Sequence, residues 1–221
     1  MTFSEEWEQL FKANSHVSIW PWSDLVSYVS RHAKPADDYV RVLELGCGVG
    51  ANIPFFLKRG SDYHAIEGSA SAAELVRKTY PMLAANIACG DFTCSLPPGP
   101  FDLVVDRAAT AHTTTAAVRR TLHMVHERLR PGGKLIGIDW FSTEHEGASR
   151  GIAVDSHTRR DIETGSLSGL GEVHFFDHDH LVALLTETGF SVEFLEHKRN
   201  ELFDPSGERR RAWWNFVARK P

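Results

Sequence analysis

Read for the spacing of its apolar positions, the chain changes rhythm near residue 40. Before that point the apolar residues fall at helical intervals. Trp7, Leu10 and Phe11 share one face of a helix through about Ala13, with Ser4 as its cap. A second helix occupies "PWSDLVSYVSRHAKP", capped by Ser23 and ended with the help of Pro35. After residue 40, short and almost wholly apolar runs alternate with amphipathic ones. "YVRVLELG", "DYHAIEG", "AANIACGD", "FDLVVDRAA" and "GGKLIGIDWF" read as strands. "ANIPFFLKRG", "SASAAELVRKTY" and "TTAAVRRTLHMVHERLR" read as the helices between them. This alternation predicts βαβ units and a parallel sheet. Strands apolar at nearly every position predict helices on both faces.

After Phe141 the alternation stops. About 35 residues pass before "DHDHLVALLTETGF", a helix capped by Asp177 and ended by Gly189. A structureless loop of that length is unusual, so a small folded insertion over the site is expected. Five glycines between Ser142 and Val173 lead to the expectation of a mobile cover there. "SVEFLEHKRNELF" and "RRRAWWNFVARKP" read as two strands joined by a connection too short for a helical crossover, hence antiparallel. The chain therefore reads as one domain, 1–221: a helical cap (1–38), a core (39–141), an insertion (142–175), and a last helix with a strand pair (176–221).

Composition narrows the class. The 221 residues are 42% hydrophobic and 24% charged, with a formal net charge of -5. Such a balance fits a globular domain and supplies no electrostatic footprint for nucleic acid. Cys47, Cys89 and Cys94 cannot all pair, so reduced thiols and a cytoplasmic location are expected. The acidic, amphipathic start does not suit a signal peptide, and no apolar run approaches membrane-spanning length.

The chemistry centres on "VLELGCGVGANIPFFLKRG", where Gly46, Gly48 and Gly50 follow the first strand. A nucleoside triphosphate loop needs Lys and Ser/Thr after its last glycine; here Ala51 and Asn52 follow. The dinucleotide fingerprint is G-x-G-x-x-G, and this sequence has G-x-G-x-G. Glu67 ends the second strand, 17 residues after Gly50, where a carboxylate can accept from both ribose hydroxyls. A nucleoside without pyrophosphate fits best.

With "AIEGS", "CGDF" (89–92), "FDLVVDRAATAH" (101–112) and "LRPGGKLIGID" (129–139) following in order, the sequence resembles the class I S-adenosylmethionine-dependent methyltransferases. The resemblance covers roughly residues 40–141. It implies a doubly wound α/β fold with a seven-stranded sheet of order 3-2-1-4-5-7-6, the last strand antiparallel. It also implies S-adenosylmethionine as cofactor and S-adenosylhomocysteine as product. Glu44 and Gly46 would face the methionine part, with Cys47 beside them. Gly48 would admit the cofactor close to its backbone. Glu67 and Gly68 would meet the ribose, and Asp91 and Phe92 the adenine. Asp106 or its neighbours would border the methionine amino group.

Methyl transfer needs alignment, exclusion of water and, for a protonated acceptor, a base. His112 is the first candidate for that base, since an imidazole suits proton transfer near neutral pH. His145 is the second, and Asp106 completes the catalytic set. Arg107, Asp139 and Trp140, from the ends of neighbouring strands, are expected beside the acceptor, as are Trp20 and Trp22. Trp213, Trp214 and Phe216 read as core and strand-face residues. Metal-using relatives carry an Asn after the second Asp; Trp140 stands there, so no metal is expected. His174, His178 and His180 do not form a metal cluster on this reading, since 178 and 180 would leave one helix on different faces. The segment "DRAAT" lacks the Pro-Pro-aromatic and Pro-Cys turns of the nucleic-acid enzymes. A small-molecule acceptor methylated at oxygen or nitrogen is the leading expectation, with no nucleic-acid or membrane partner and either a monomer or a dimer. A protein methyltransferase, a non-catalytic cofactor-binding subunit and an NAD-dependent oxidoreductase are the alternatives.

Overall fold

The computed structural model describes residues 5–13, 18–33, 40–204 and 207–221. Its elements run α1 (Glu5–Lys12), α2 (Ser23–His32), β1 (Arg41–Leu45), α3 (Ile53–Lys58), β2 (Asp62–Glu67), α4 (Ala70–Thr79), β3 (Ile87–Cys89), β4 (Phe101–Arg107), α5 (Thr115–Arg128) and β5 (Leu129–Phe141). They continue with β6 (Ile152–Ala153), β7 (Thr158–Arg160), β8 (Val173–His174), α6 (His178–Glu187), β9 (Ser191–Asp204) and β10 (Gly207–Arg219).

Seven strands form one sheet in the order β3-β2-β1-β4-β5-β10-β9. Counted among themselves these are 3-2-1-4-5-7-6, as the resemblance implies. Strands β1 to β5 pair in parallel, and β10 runs antiparallel to both β5 and β9. The two-residue period of the strands splits the core in two. Leu43, Leu45, Val104 and Leu135 point one way, toward Val118, Leu122 and Val125 of α5 and Leu181 and Leu184 of α6. Val42, Val105, Ile136 and Ile138 point the other way, toward Leu25 and Val29 of α2, Phe56 of α3 and Val76 of α4.

Side-chain caps fix where several helices start. Ser69 accepts from Ala72 N at 3.1 Å, and Asp177 accepts from His180 N at 2.8 Å. Ser23 is not a cap. Trp22 holds that position without a side-chain bond, and Ser23 is the first helical residue. The Trp22 N–H instead donates to Asn52 Oδ1 at 3.1 Å, tying α2 to the glycine turn. Ser4 and Pro35 lie outside the described residues.

Gly137 is required by close approach rather than by backbone conformation. A Cβ on Gly137 of β5 would stand 2.2 Å from the Phe216 ring of β10. Gly137→Ala is therefore expected to destabilise the fold by about 1–3 kcal/mol through overpacking. Chemical denaturation with an unchanged midpoint would contradict that contact.

The segment after β5 is folded. Strands β6, β7 and β8 form a small antiparallel sheet, and Ile162, Leu167, Leu170 and Val173 are buried in the same cluster as α5 and α6. A mobile cover would have to draw these side chains out of the core, at about 1.5–3 kcal/mol each. The segment packs here as a roof, and Gly151, Gly165, Gly169 and Gly171, all at positive φ, make its turns.

Candidate active site

The carboxyl ends of the parallel strands open into a cavity of about 370 Å³. Its floor is the glycine turn. Gly46, Gly48 and Gly50 have φ of 63°, 53° and 85°, a region that glycine enters at no steric cost. The Gly46 N–H donates to the Ile66 carbonyl at 2.8 Å, which pins the turn to β2. A Cβ on Gly48 would lie 3.3 Å from the Phe11 ring of α1, so the turn and the first helix nearly touch.

Three carboxylates line one end. Glu67 accepts from Gly48 N at 2.7 Å through Oε2 and from Ser69 N at 2.8 Å through Oε1. Each oxygen keeps a second lone pair, so the backbone orients Glu67 and leaves it able to accept hydroxyls. Burial pushes its carboxyl up, and those two N–H donors oppose the shift. Asp91 Oδ1 accepts the Thr93 N–H at 2.8 Å and its hydroxyl at 2.7 Å, with Phe92 beside it on the cavity wall. Glu44 accepts from Tyr63 Oη at 2.5 Å and Asn52 Nδ2 at 2.7 Å. Burial nevertheless raises its carboxyl to about 7, and the Glu67 and Asp106 charges add to the rise.

Arg107 stands at the end of β4. Its guanidinium lies 3.6 Å over the Trp22 ring, and Nη2 donates to Asp139 Oδ2 at 2.7 Å. Beyond it, the chain turns through Ala108, which has a φ of 58° despite its side chain. His112 follows on a single 3-10 turn and faces the cavity, its ring edge-on to Trp7 at 4.9 Å and to Phe141 at 5.5 Å. His145 lines the same cavity. Its Nδ1 accepts the Gly147 N–H at 3.0 Å, and burial beside Arg211 and Arg150 lowers its pKa to about 4. The ring is thus neutral at pH 7, with its proton on Nε2, and it offers a donor rather than a base.

The cavity gathers Glu44, Gly46, Cys47, Gly48, Glu67, Gly68, Asp91, Phe92, Arg107, His112, His145 and Trp22 of the residues expected from sequence. Four others do not reach it. Asp106 is fully buried beneath the loop, its carboxylate taken by Ala109 N at 2.8 Å and Thr110 N at 3.1 Å. Burial raises its pKa to about 6, and its place is to shape the turn. Its neighbours Arg107, Ala108 and Ala109 form the wall instead. Asp139 stands behind Arg107 and holds it. Trp140, only 1% exposed, packs against Phe176 and Phe216 in the core. Trp20 is 75% exposed and lies off the cavity.

Sequence reasoning missed Trp7 and Phe11, Phe141, Leu167 and Leu170, and Arg211 with Trp213, all of which line the cavity. The aromatic face of α1 was readable, but nothing local said what it covered. The histidines after residue 150 also regroup. His174 Nε2 meets His180 Nε2 at 3.0 Å, and His157 stacks on His180 at 3.6 Å, while His178 is exposed elsewhere. Among the described residues no group of three His, Cys, Asp or Glu has a geometry that could hold a metal.

The donor set fits one kind of cofactor. Two carboxylates with spare lone pairs at the ends of β2 and β3, a side-chain-free turn and a third acid at β1 suit a cationic nucleoside and offer no cradle for a pyrophosphate. Fold and site together define a class I S-adenosylmethionine-dependent methyltransferase. The comparisons agree. A methyltransferase domain family matches residues 42–133. An uncharacterized methyltransferase of Geobacillus kaustophilus (strain HTA426) is 30% identical over 158 residues, spanning 70% of this chain and 71% of the relative. The chain belongs to this methyltransferase family, and its cofactor is S-adenosylmethionine. Among solved structures, an S-adenosylmethionine-dependent methyltransferase from Methanosarcina mazei superposes with a TM-score of 0.68 at 19% identity, covering 91% of this chain and 98% of that one. A 1,6-didemethyltoxoflavin-N1-methyltransferase from Burkholderia thailandensis, with bound 1,6-didemethyltoxoflavin and S-adenosylhomocysteine, gives 0.63 at 16% identity over 98% and 86%. Both likenesses speak to the fold.

Proposed function

We propose that the protein methylates a small molecule at oxygen or nitrogen, with His112 as the base. The observation that carries this reading is the roof. Trp7 and Phe11 from α1, the latter against Gly48, and Ser166, Leu167 and Leu170 from the insertion line the cavity opposite its floor. The whole cavity, about 370 Å³ and shared with the cofactor, is at the small-ligand end of the usual range of ~300–1,000 Å³, which supports a small acceptor. No helix among the described residues is long and apolar enough to cross a membrane. Three free cysteines fit a reducing, cytoplasmic setting.

When bound, the cofactor supplies a methyl group already activated on a sulfonium. The chain's residues do the rest. Glu67 and Asp91 hold the nucleoside, and Glu44 faces the amino-acid end. The aromatic roof excludes water, and His112 takes the proton of a hydroxyl or ammonium acceptor. His145 Nε2–H can orient the acceptor without titrating above about 4.

Glu44 gives this arrangement a pH signature. In the free protein the raised pKa makes Glu44 a stability cost that grows as pH climbs from 4.5 through about 7. A ligand ammonium beside it favours the ionised form, so affinity for S-adenosylhomocysteine should rise between pH 6 and 8. Glu44→Gln should flatten that rise. Calorimetry showing the same pH slope in both proteins would remove Glu44 from the amino-acid end.

The acceptor class is tested with radiolabelled methyl groups. Incubated with S-adenosylmethionine and a fractionated cell extract, the enzyme should label the low-mass fraction. Label confined to the protein fraction would favour a protein methyltransferase.

A further inference from the structure

The far end of the cavity carries a pattern that goes beyond the roles of His112 and His145 in methyl transfer. Five rings follow one another along one wall. Trp7 meets His112, His112 meets Phe141, Phe141 meets His145, and His145 meets Trp213, at interplanar angles of 75°, 79°, 77° and 70°. Each ring presents its edge to the next, the arrangement that aromatic quadrupoles favour. A row of this kind offers apolar ring surface along the cavity.

A cation closes the row. Arg211 precedes Trp213 by two residues on β10, so strand periodicity puts both on one face, and both line the cavity. Three arginines near it are spoken for: Arg107 by Asp139, Arg150 by Glu146 and Arg199 by Glu144. Arg211 makes no ion pair among the described residues, and its buried Nε has no hydrogen-bond partner. Its charge is felt locally, since it helps to keep the His145 ring neutral. A buried donor left unmet costs stability until something accepts from it.

The cavity is therefore polar in sign along its length. Glu44, Glu67 and Asp91 sit at the cofactor end, and Arg211 sits at the other. We propose that the acceptor is a planar aromatic acid, its ring laid along the Phe141–His145–Trp213 wall and its carboxylate accepting from the Arg211 guanidinium. This rests on the small-molecule reading above and names its substrate class. The planar donor fork of arginine matches a carboxylate in two parallel bonds, which would fix the ring's orientation and present its nucleophilic atom to the methyl group.

The test uses the full chain saturated with S-adenosylhomocysteine. Benzoate, salicylate, quinoline-2-carboxylate and indole-3-acetate are titrated calorimetrically, each beside its carboxamide. At least one acid should bind ten times or more tightly than its amide. Arg211→Gln should erase that preference and Arg211→Lys should keep part of it, while both variants bind S-adenosylhomocysteine as the wild type does. Equal binding of acid and amide, a preference that survives in Arg211→Gln, or no binding of any acid to a protein that binds S-adenosylhomocysteine would each overturn the assignment. Those results would leave the methyltransferase reading standing. Failure of the wild type to bind S-adenosylhomocysteine would bring down that reading, and the acceptor assignment with it.

Discussion

Replacing His112 by alanine is expected to slow methyl transfer by about 10²–10⁴-fold, the usual worth of a positioned general base. Affinity for S-adenosylhomocysteine should change little, because His112 stands on the acceptor side, between Trp7 and Phe141. Single-turnover rates separate this loss in chemistry from any loss in binding. A base must be neutral to work, so the wild-type rate should fall toward acid pH and the variant should lose that limb. His145 cannot take over, since its Nδ1 is held by Gly147 N. A variant with the wild-type rate and pH profile would mean that positioning of an already ionised acceptor suffices.

The second large effect is expected at Gly48. Its φ of 53° already disfavours a side chain, and a Cβ there would stand 3.3 Å from Phe11. In Gly48→Val the extra methyls would press on Phe11 and fill the cavity that both residues line, so binding of S-adenosylhomocysteine should be lost. Gly48 lies on the cavity floor and belongs to neither of the two core clusters that join sheet and helices, so the variant should still fold. Calorimetry on a cooperatively melting variant that binds normally would take the glycine turn out of the site.

Much of this architecture was legible because each signal was local. Strands β1, β2, β4 and β5 each carry a short apolar run at the centre, and the glycines mark where β1 must turn. Asp177 caps α6 as its sequence promises. The failures are equally physical. An acid at a strand end reads as a ligand group, yet at Asp106 the two N–H donors of the following loop claim the carboxylate. Asp139 has a φ of 58°, which breaks the strand alternation that sequence reasoning relies on; its carboxylate holds Arg107 while Trp140 packs in the core. That alternation does separate Trp213, on the cavity, from Trp214, whose indole Nε1 donates to the Phe176 carbonyl at 2.8 Å in the interior. Arg211 lay too far along the chain from the glycine turn for any local pattern to join them. Only the antiparallel pairing of β10 with β5 brings it there.

The central claim is that the cavity at the carboxyl ends of β1, β2 and β3 holds S-adenosylmethionine through Glu67. Calorimetry with S-adenosylhomocysteine on the wild type and Glu67→Ala tests it most directly. The wild type should bind one equivalent and give no heat with NAD. The variant should bind more weakly by about 1–3 kcal/mol, the cost of leaving ribose hydroxyls without a charged acceptor. Equal affinity in a folded Glu67→Ala protein, or binding of NAD in place of S-adenosylhomocysteine, would contradict the account.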